Sequence, residues 1–219
     1  MNIVTVCNDK WNPGHLERWL YYTKKNVPNA KLHVLYAGEK DVDVDVELIR
    51  FKNESDNRPW YNSVRMGACN LFGIPEFLYV DTDVDILEDL NDICNIPGDI
   101  LWTRSPGQHP EWIDLSDKIG YDLPEPEANN GFFYMRGDFL TQYTVAEALV
   151  DDIGMHPRIR GTAVFNVMLR ENNIGTEIAQ DYHRIWWEAD SHIIAKSVHY
   201  CNDHGQEKRL HLEKIRRAM

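Results

Sequence analysis

The run NIVTVC, from Asn2 to Cys7, is rich in β-branched residues, and a second apolar run, KLHVLYAG, occupies 31–38. Between them HLERWLYYTKKNV carries Leu16, Trp19, Leu20 and Thr23 at helical spacing until Pro28 stops the pattern. Strand, helix, strand is the unit of a parallel sheet, because parallel neighbours need a long crossover between them. The chain therefore reads as α/β, with a mostly parallel central sheet flanked by helices. Its 219 residues are long for one small domain and short for two, which predicts one compact unit around a single hydrophobic core.

The rest of the chain continues in kind. DVDVDVELIRF alternates acid and valine from Asp41 to Val46, the pattern of a strand with one wet face, so Asp41, Asp43 and Asp45 read as a solvated edge. WYNSVRMGACNLFG predicts one helix with an apolar stripe of Val64, Gly67, Ala68, Leu71 and Phe72, closed by Gly73 and Pro75; Arg65 lies off that stripe, toward solvent or a site. Further on come a strand in DILWTRS, a long Pro-rich loop over 106–126, the apolar segment GFFYMRG, a helix in GTAVFNVMLREN and a Trp/His-rich end.

The most informative stretch is EFLYVDTDVDILEDL. An apolar strand runs straight into Asp81, Asp83 and Asp85. In an open parallel sheet ligands sit beyond the carboxyl ends of the strands, so acids that directly follow a buried strand stand at the site. On extended backbone, residues two apart point the same way, so the Asp81 and Asp83 carboxylates converge while Thr82 faces elsewhere. Two converging carboxylates bind a hard divalent cation. The segment after them, ILEDLNDI, reads as a short helix, for which Asp85, Glu88 and Asp89 equally suit a cap or a solvated turn.

Bulk properties narrow the classes. A formal charge of −12 argues against a nucleic-acid partner, which needs a basic face. Composition at 43 % hydrophobic and 11 % aromatic is that of a folded protein. Four cysteines without any C-x-x-C spacing, with Cys7 and Cys69 in apolar runs, predict a reduced, cytoplasmic protein, and no apolar run is long enough to span a bilayer.

EFLYVDTDVDILEDL resembles the D-x-D region of the GT-A-fold nucleotide-sugar glycosyltransferases, and the likeness extends over nearly the whole chain. The helix bearing Arg65 is similar to one that presents an arginine to the donor in that group. Asn129, Asn130 and Gly131, followed by Phe132, Phe133, Tyr134 and Met135, resemble its sugar-pocket segment. SVHYCNDHG resembles the segment whose histidine is the third protein ligand to manganese in the branch that includes glycogenin and the bacterial lipopolysaccharide galactosyltransferases; His199 takes that place. Two departures fall on the acceptor side: Gly161-Thr162 stands where that branch often has Asp-Gln, and Glu207-Lys208-Arg209 replaces its Lys-Pro-Trp.

The resemblance implies a GT-A domain with a nucleotide-binding half over 1–100, an acceptor-side half over 101–203 and a tail helix over 204–219. It implies a metal-dependent glycosyltransferase that moves a sugar from a nucleoside-diphosphate sugar, UDP favoured, to a glycan, glycolipid or glycoprotein hydroxyl. Manganese or magnesium is held by Asp81, Asp83 and His199. The base lies against the backbone at Val6, Cys7 and Asn8, with Trp11 either stacked on it or anchoring its loop. Arg65, His204 and Lys208 add positive charge around the diphosphate, beside Thr82, Asn130 and Gly131; the tail's mixed charges equally fit a solvated helix. Glu188 and Asp190, after Trp186 and Trp187, are the candidate carboxylates for activating an acceptor, and Asp83 serves catalysis through the metal. Two other classes remain beside this one. A nucleotidyltransferase uses similar acids but wants a Gly-rich phosphate loop, which CNDKWNPG is not. A carbohydrate-binding or calcium module would lack turnover, and DTDVDILEDLND has no central EF-hand glycine.

Overall fold

In the computed structural model, residues 1–9, 13–51, 59–105, 110–120, 127–153, 157–185 and 195–200 are described. The opening unit forms as its pattern requires. Strand β1 (Asn2–Cys7) pairs in parallel with β2 (Lys31–Tyr36), in register from Asn2 opposite Lys31 to Cys7 opposite Tyr36. Helix α1 (Pro13–Asn26) crosses between them and buries Leu16, Trp19, Leu20 and Thr23. Lys24 and Lys25 in its last turn complement the negative end of the helix dipole.

Beyond these lie β3 (Glu47–Arg50), α2 (Pro59–Met66), α3 (Ala68–Phe72), β4 (Glu76–Val80), β5 (Val84–Ile86), a 3-10 turn (Asn91–Asn95), β6 (Ile100–Arg104), α4 (Pro110–Ile119), β7 (Ala128–Arg136), α5 (Leu140–Ile153), α6 (Pro157–Glu171), β8 (Thr176–Glu177), β9 (Arg184–Ile185) and β10 (Ser197–His199). Seven strands make one sheet in the order β3-β2-β1-β4-β7-β6-β8, parallel except for β7, which runs against both β4 and β6. A small second sheet, β5-β10-β9, stands beside it. The mostly parallel α/β sheet expected from the sequence is the one formed. Among the described residues, no helix is long and apolar enough to cross a membrane.

The single core expected from chain length is two layers, because a sheet covered on both faces divides its apolar residues by pleat parity. Val4, Val6, Phe77, Tyr79, Phe133 and Met135 face α5 and α6. Ile3, Cys7, Leu78, Val80, Phe132 and Tyr134 share the other layer with Leu16, Trp19 and Leu20 of α1.

Four local expectations are corrected. Asp41 to Val46 alternate exposed acids with half-buried valines as predicted, yet they form no strand; the strand is the next four residues, β3. A chain leaving the top of β2 must return to its foot before it can pair in parallel, and the alternating segment is that return. The single helix expected over 60–73 breaks at Gly67 into α2 and α3, leaving Leu71 52 % exposed; Gly73, at φ 68, ends α3 in the left-handed conformation open to glycine. The long loop over 106–126 contains α4. After Asp83 the chain enters β5 rather than a helix, which buries Asp85 and sets it against Arg18 of α1, whose Nε lies 2.9 Å from Asp85 Oδ1 and Nη2 2.6 Å from Oδ2. Arg18→Met will therefore destabilise the fold by on the order of 2 kcal/mol in chemical denaturation, tempered by the partial exposure of the arginine.

Candidate functional site

Strand β4 delivers its acids to the carboxyl edge of the sheet. Asp81 N donates to Gly131 O of the neighbouring β7 at 2.9 Å, and Val84 N donates back to Asp81 O at 3.1 Å, closing a tight turn. This turn, not an extended backbone, brings Asp83 beside Asp81. The small sheet completes the arrangement: β10 runs against β5 with His199 opposite Val84, and Tyr200 N donates to Asp83 O at 3.0 Å. His199 Nε2 thereby comes to 3.1 Å from Asp83 Oδ1. One ligand atom from each of Asp81, Asp83 and His199 lies within 4.8 Å of the others.

Gly131 makes this closeness possible. A Cβ there would stand 2.6 Å from Asp81 Oδ2 and 2.7 Å from His199 Cε1, so only glycine leaves both side chains in place. Its own N–H donates to Asn129 Oδ1 at 2.8 Å.

Behind the acids sits a buried cation. Arg65, 3 % exposed, donates from Nη1 to Asn130 O at 2.7 Å and from Nη2 to Asn62 Oδ1 at 2.6 Å. Its guanidinium lies over the Tyr79 ring at 4.7 Å and 3.8 Å from Asp81 Oδ1. Tyr79 OH donates to that same oxygen at 2.6 Å. Sequence reasoning passed over Tyr79, although its place two residues before Asp81 put it on the same side of the chain. Burial, and then the Asp83 charge, push the Asp81 carboxyl above the usual carboxylate range, against the pull of Arg65 and His199. Two carboxylates that raise each other's cost of ionisation, closed by an imidazole, are a donor set that a divalent cation relieves, and mixed oxygen and nitrogen ligands suit manganese better than calcium or magnesium. The residues present fit such an ion.

A second histidine was also missed. His183 is fully buried, stacked on Phe132 with ring centroids 4.6 Å apart, and its centroid is 5.6 Å from that of His199. Burial first, then His199, hold it well below the usual histidine range.

The remaining candidates are spread along the same edge. Val6 and Cys7 end β1 with side chains in opposite core layers, leaving backbone for any ligand; Cys7 O already accepts from Ala37 N at 2.9 Å. The Cys7 thiol is pushed up to about 12 by burial and then by Asp9, which makes it inert. Asn8 is half-buried, and Asp9 after it accepts from Glu39 N at 2.9 Å and from Tyr36 OH, bonds that lower its carboxyl. Thr82 is buried within the acidic turn. Asn130 is half-buried, its amide 3.1 Å from where a Cβ on Gly161 would stand. Trp11, Trp186, Trp187, Glu188, Asp190, His204 and Lys208 lie outside the described residues, as does the tail over 204–219.

No family profile matches the sequence, and no curated protein matches it. Its backbone is similar to solved structures of the galactosyltransferase LgtC. One, in complex with donor and acceptor sugar analogs, superposes with a TM-score of 0.71 at 14 % identity over 98 % of this chain and 95 % of that one. Another, of an active-site mutant of LgtC, gives 0.67 at 14 % identity over the same shares. The fold is the GT-A glycosyltransferase fold.

Proposed function

We propose that the chain is a metal-dependent glycosyltransferase that moves a sugar from a UDP-sugar to the hydroxyl of a glycan, glycolipid or glycoprotein. The observation that carries this reading is the convergence of Asp81, Asp83 and His199 at the carboxyl edge of a GT-A sheet.

The chemistry asks for charge stabilisation at two places, the departing diphosphate and the oxocarbenium-like sugar. A divalent ion held by Asp81, Asp83 and His199, manganese before magnesium, supplies Lewis-acid neutralisation of the leaving group. The chain's own groups do the rest. Arg65 acts from behind: it is too buried to meet a donor, so it fixes Asp81 and the Asn130 backbone. Gly131 keeps the floor of the site open, and the half-buried Asn130 beside it offers an amide to sugar hydroxyls. Backbone at Val6, Cys7 and Asn8, with Trp11, receives the base. His204 and Lys208 add charge against the diphosphate. Glu188 and Asp190 are the carboxylates assigned to the acceptor hydroxyl: an inverting reaction uses one as base, a retaining one leaves that proton to the departing diphosphate. Free thiols at Cys7, Cys69 and Cys94 are in keeping with a cytoplasmic setting for this activity.

Thermal unfolding with UDP and manganese, alone and together, tests the reading. A ligand that binds only the folded chain, at a hundredfold excess over Kd, stabilises it by about 2.7 kcal/mol, or roughly 5 to 10 °C for a chain of this size. The expected shift needs both components. No shift with the mixture would remove the UDP-sugar reading.

A further inference from the structure

His183 offers a buried acceptor that nothing in the fold requires. Its Nδ1 lies 2.9 Å from Ser197 Oγ, and the Ser197 hydroxyl donates to Tyr182 O at 2.8 Å. A hydroxyl carries one proton. Once that proton points at Tyr182 O, Oγ receives a hydrogen bond from the ring, so Nδ1 bears the N–H and Nε2 is the bare nitrogen. Among the described residues Nε2 has no hydrogen-bond partner, although the side chain is fully buried. A buried acceptor of this kind calls for an explanation.

The strand ladder says what it faces. β9 runs parallel to β10, with Arg184 opposite Val198 and Ile185 opposite His199. One step back, His183 stands opposite Ser197 and diagonal to His199, a separation that aromatic side chains bridge. The two imidazole centroids are 5.6 Å apart with the rings inclined at 46°. His199 turns Nε2 toward Asp83, so Nε2 is its metal-side nitrogen and Nδ1 its other one.

We propose that His183 is a positioning residue for the metal site: its bare Nε2 accepts a hydrogen bond from Nδ1–H of His199 and thereby aims His199 Nε2 at Asp81 and Asp83. The inference rests on reading those three residues as metal ligands. The two rings are not hydrogen-bonded to each other in this structure; the bond requires His199 to turn and close toward His183. The result is one unbroken sequence of donors: His199 to His183, His183 to Ser197, and Ser197 to the Tyr182 carbonyl. Ligating histidines are held in just this manner, by a group on the nitrogen that does not touch the metal, and losing that group typically weakens metal binding about 10- to 100-fold. Phenylalanine would preserve the stack on Phe132 but has no acceptor, whereas glutamine keeps an oxygen there.

Two readouts on the full chain, neither needing a sugar donor, decide it. Manganese affinity by electron paramagnetic resonance should fall about 10- to 100-fold in His183→Phe, recover most of that loss in His183→Gln, and fall in Ser197→Ala, which releases the His183 tautomer. Nitrogen-15 spectra of the imidazoles in the magnesium-loaded protein should show His183 protonated at Nδ1 only, with a scalar coupling across the bond from His199 Nδ1 to His183 Nε2. Equal affinity in His183→Phe and wild type, equal losses in the phenylalanine and glutamine variants, or a His183 ring protonated at Nε2 would overturn the proposal while leaving the glycosyltransferase reading intact. A wild-type chain that binds no manganese would overturn both. If His183→Phe fails to fold, Ser197→Ala and the wild-type spectra decide the question by the same criteria.

Discussion

Replacing Arg65 with methionine will lower the free energy of unfolding by about 3 kcal/mol, seen as a fall in melting temperature of roughly 10 °C. The size follows from what the guanidinium touches. It is the buried positive charge 3.8 Å from Asp81, and it satisfies the part-buried acceptors Asn130 O and Asn62 Oδ1. Methionine fills the volume but leaves Asn130 O and Asn62 Oδ1 without their donor, at about 1–3 kcal/mol each, and leaves Asp81 with Tyr79 OH but no ion-pair partner. Because the same carbonyl belongs to the residue before Gly131, metal affinity should fall with stability. A variant within about 1 kcal/mol of wild type would mean that Asp81 is compensated by another group.

The second large effect separates the site from the fold. Gly131→Ala adds one methyl group where Asp81 Oδ2 and His199 Cε1 already stand at 2.6 and 2.7 Å. Gly131 lies in strand β7, where alanine suits the backbone, so the strand should still form and melting should change little. The two side chains cannot both keep their positions. Displacing either side chain takes its oxygen or nitrogen out of the metal position, so manganese affinity in calorimetric titration should fall several-fold or more, toward the loss in Asp83→Asn. Unchanged affinity in Gly131→Ala would show that the ion is not held between Asp81 and His199.

What could be read in advance was whatever is written in local pattern. β1 and β4 begin and end where their β-branched and aromatic runs do, and topology alone places the acids at the strand end. What failed depends on partners distant in sequence. Asp85 resembled a cap until β5 paired with β10, a strand more than a hundred residues away. Periodicity put Arg65 off the apolar stripe, toward solvent or a site, and it stands beside Asp81; that it is buried there is set by what packs above it, which periodicity does not say. The break at Gly67 is a choice between one long helix and two short ones that propensity alone does not make. Helix α5 went unread because its buried positions, Tyr143, Ala146 and Val150, alternate with exposed apolar residues such as Val145 and Leu149 that blur the stripe. His183 has no local signal at all: its meaning comes from Ser197 and His199, which only the small sheet brings alongside.

The proposed function requires that the bond between a sugar and a nucleoside diphosphate break at Asp81, Asp83 and His199. The most direct measurement is the product formed when the full chain is incubated with manganese and a panel of UDP-sugars, without acceptor, and resolved by ion-exchange chromatography. Slow release of free UDP from at least one donor is expected, abolished by chelation and by Asp83→Asn. Pyrophosphate in place of UDP would make the chain a nucleotidyltransferase, and no turnover with any nucleotide sugar would leave a binding protein built on a transferase fold.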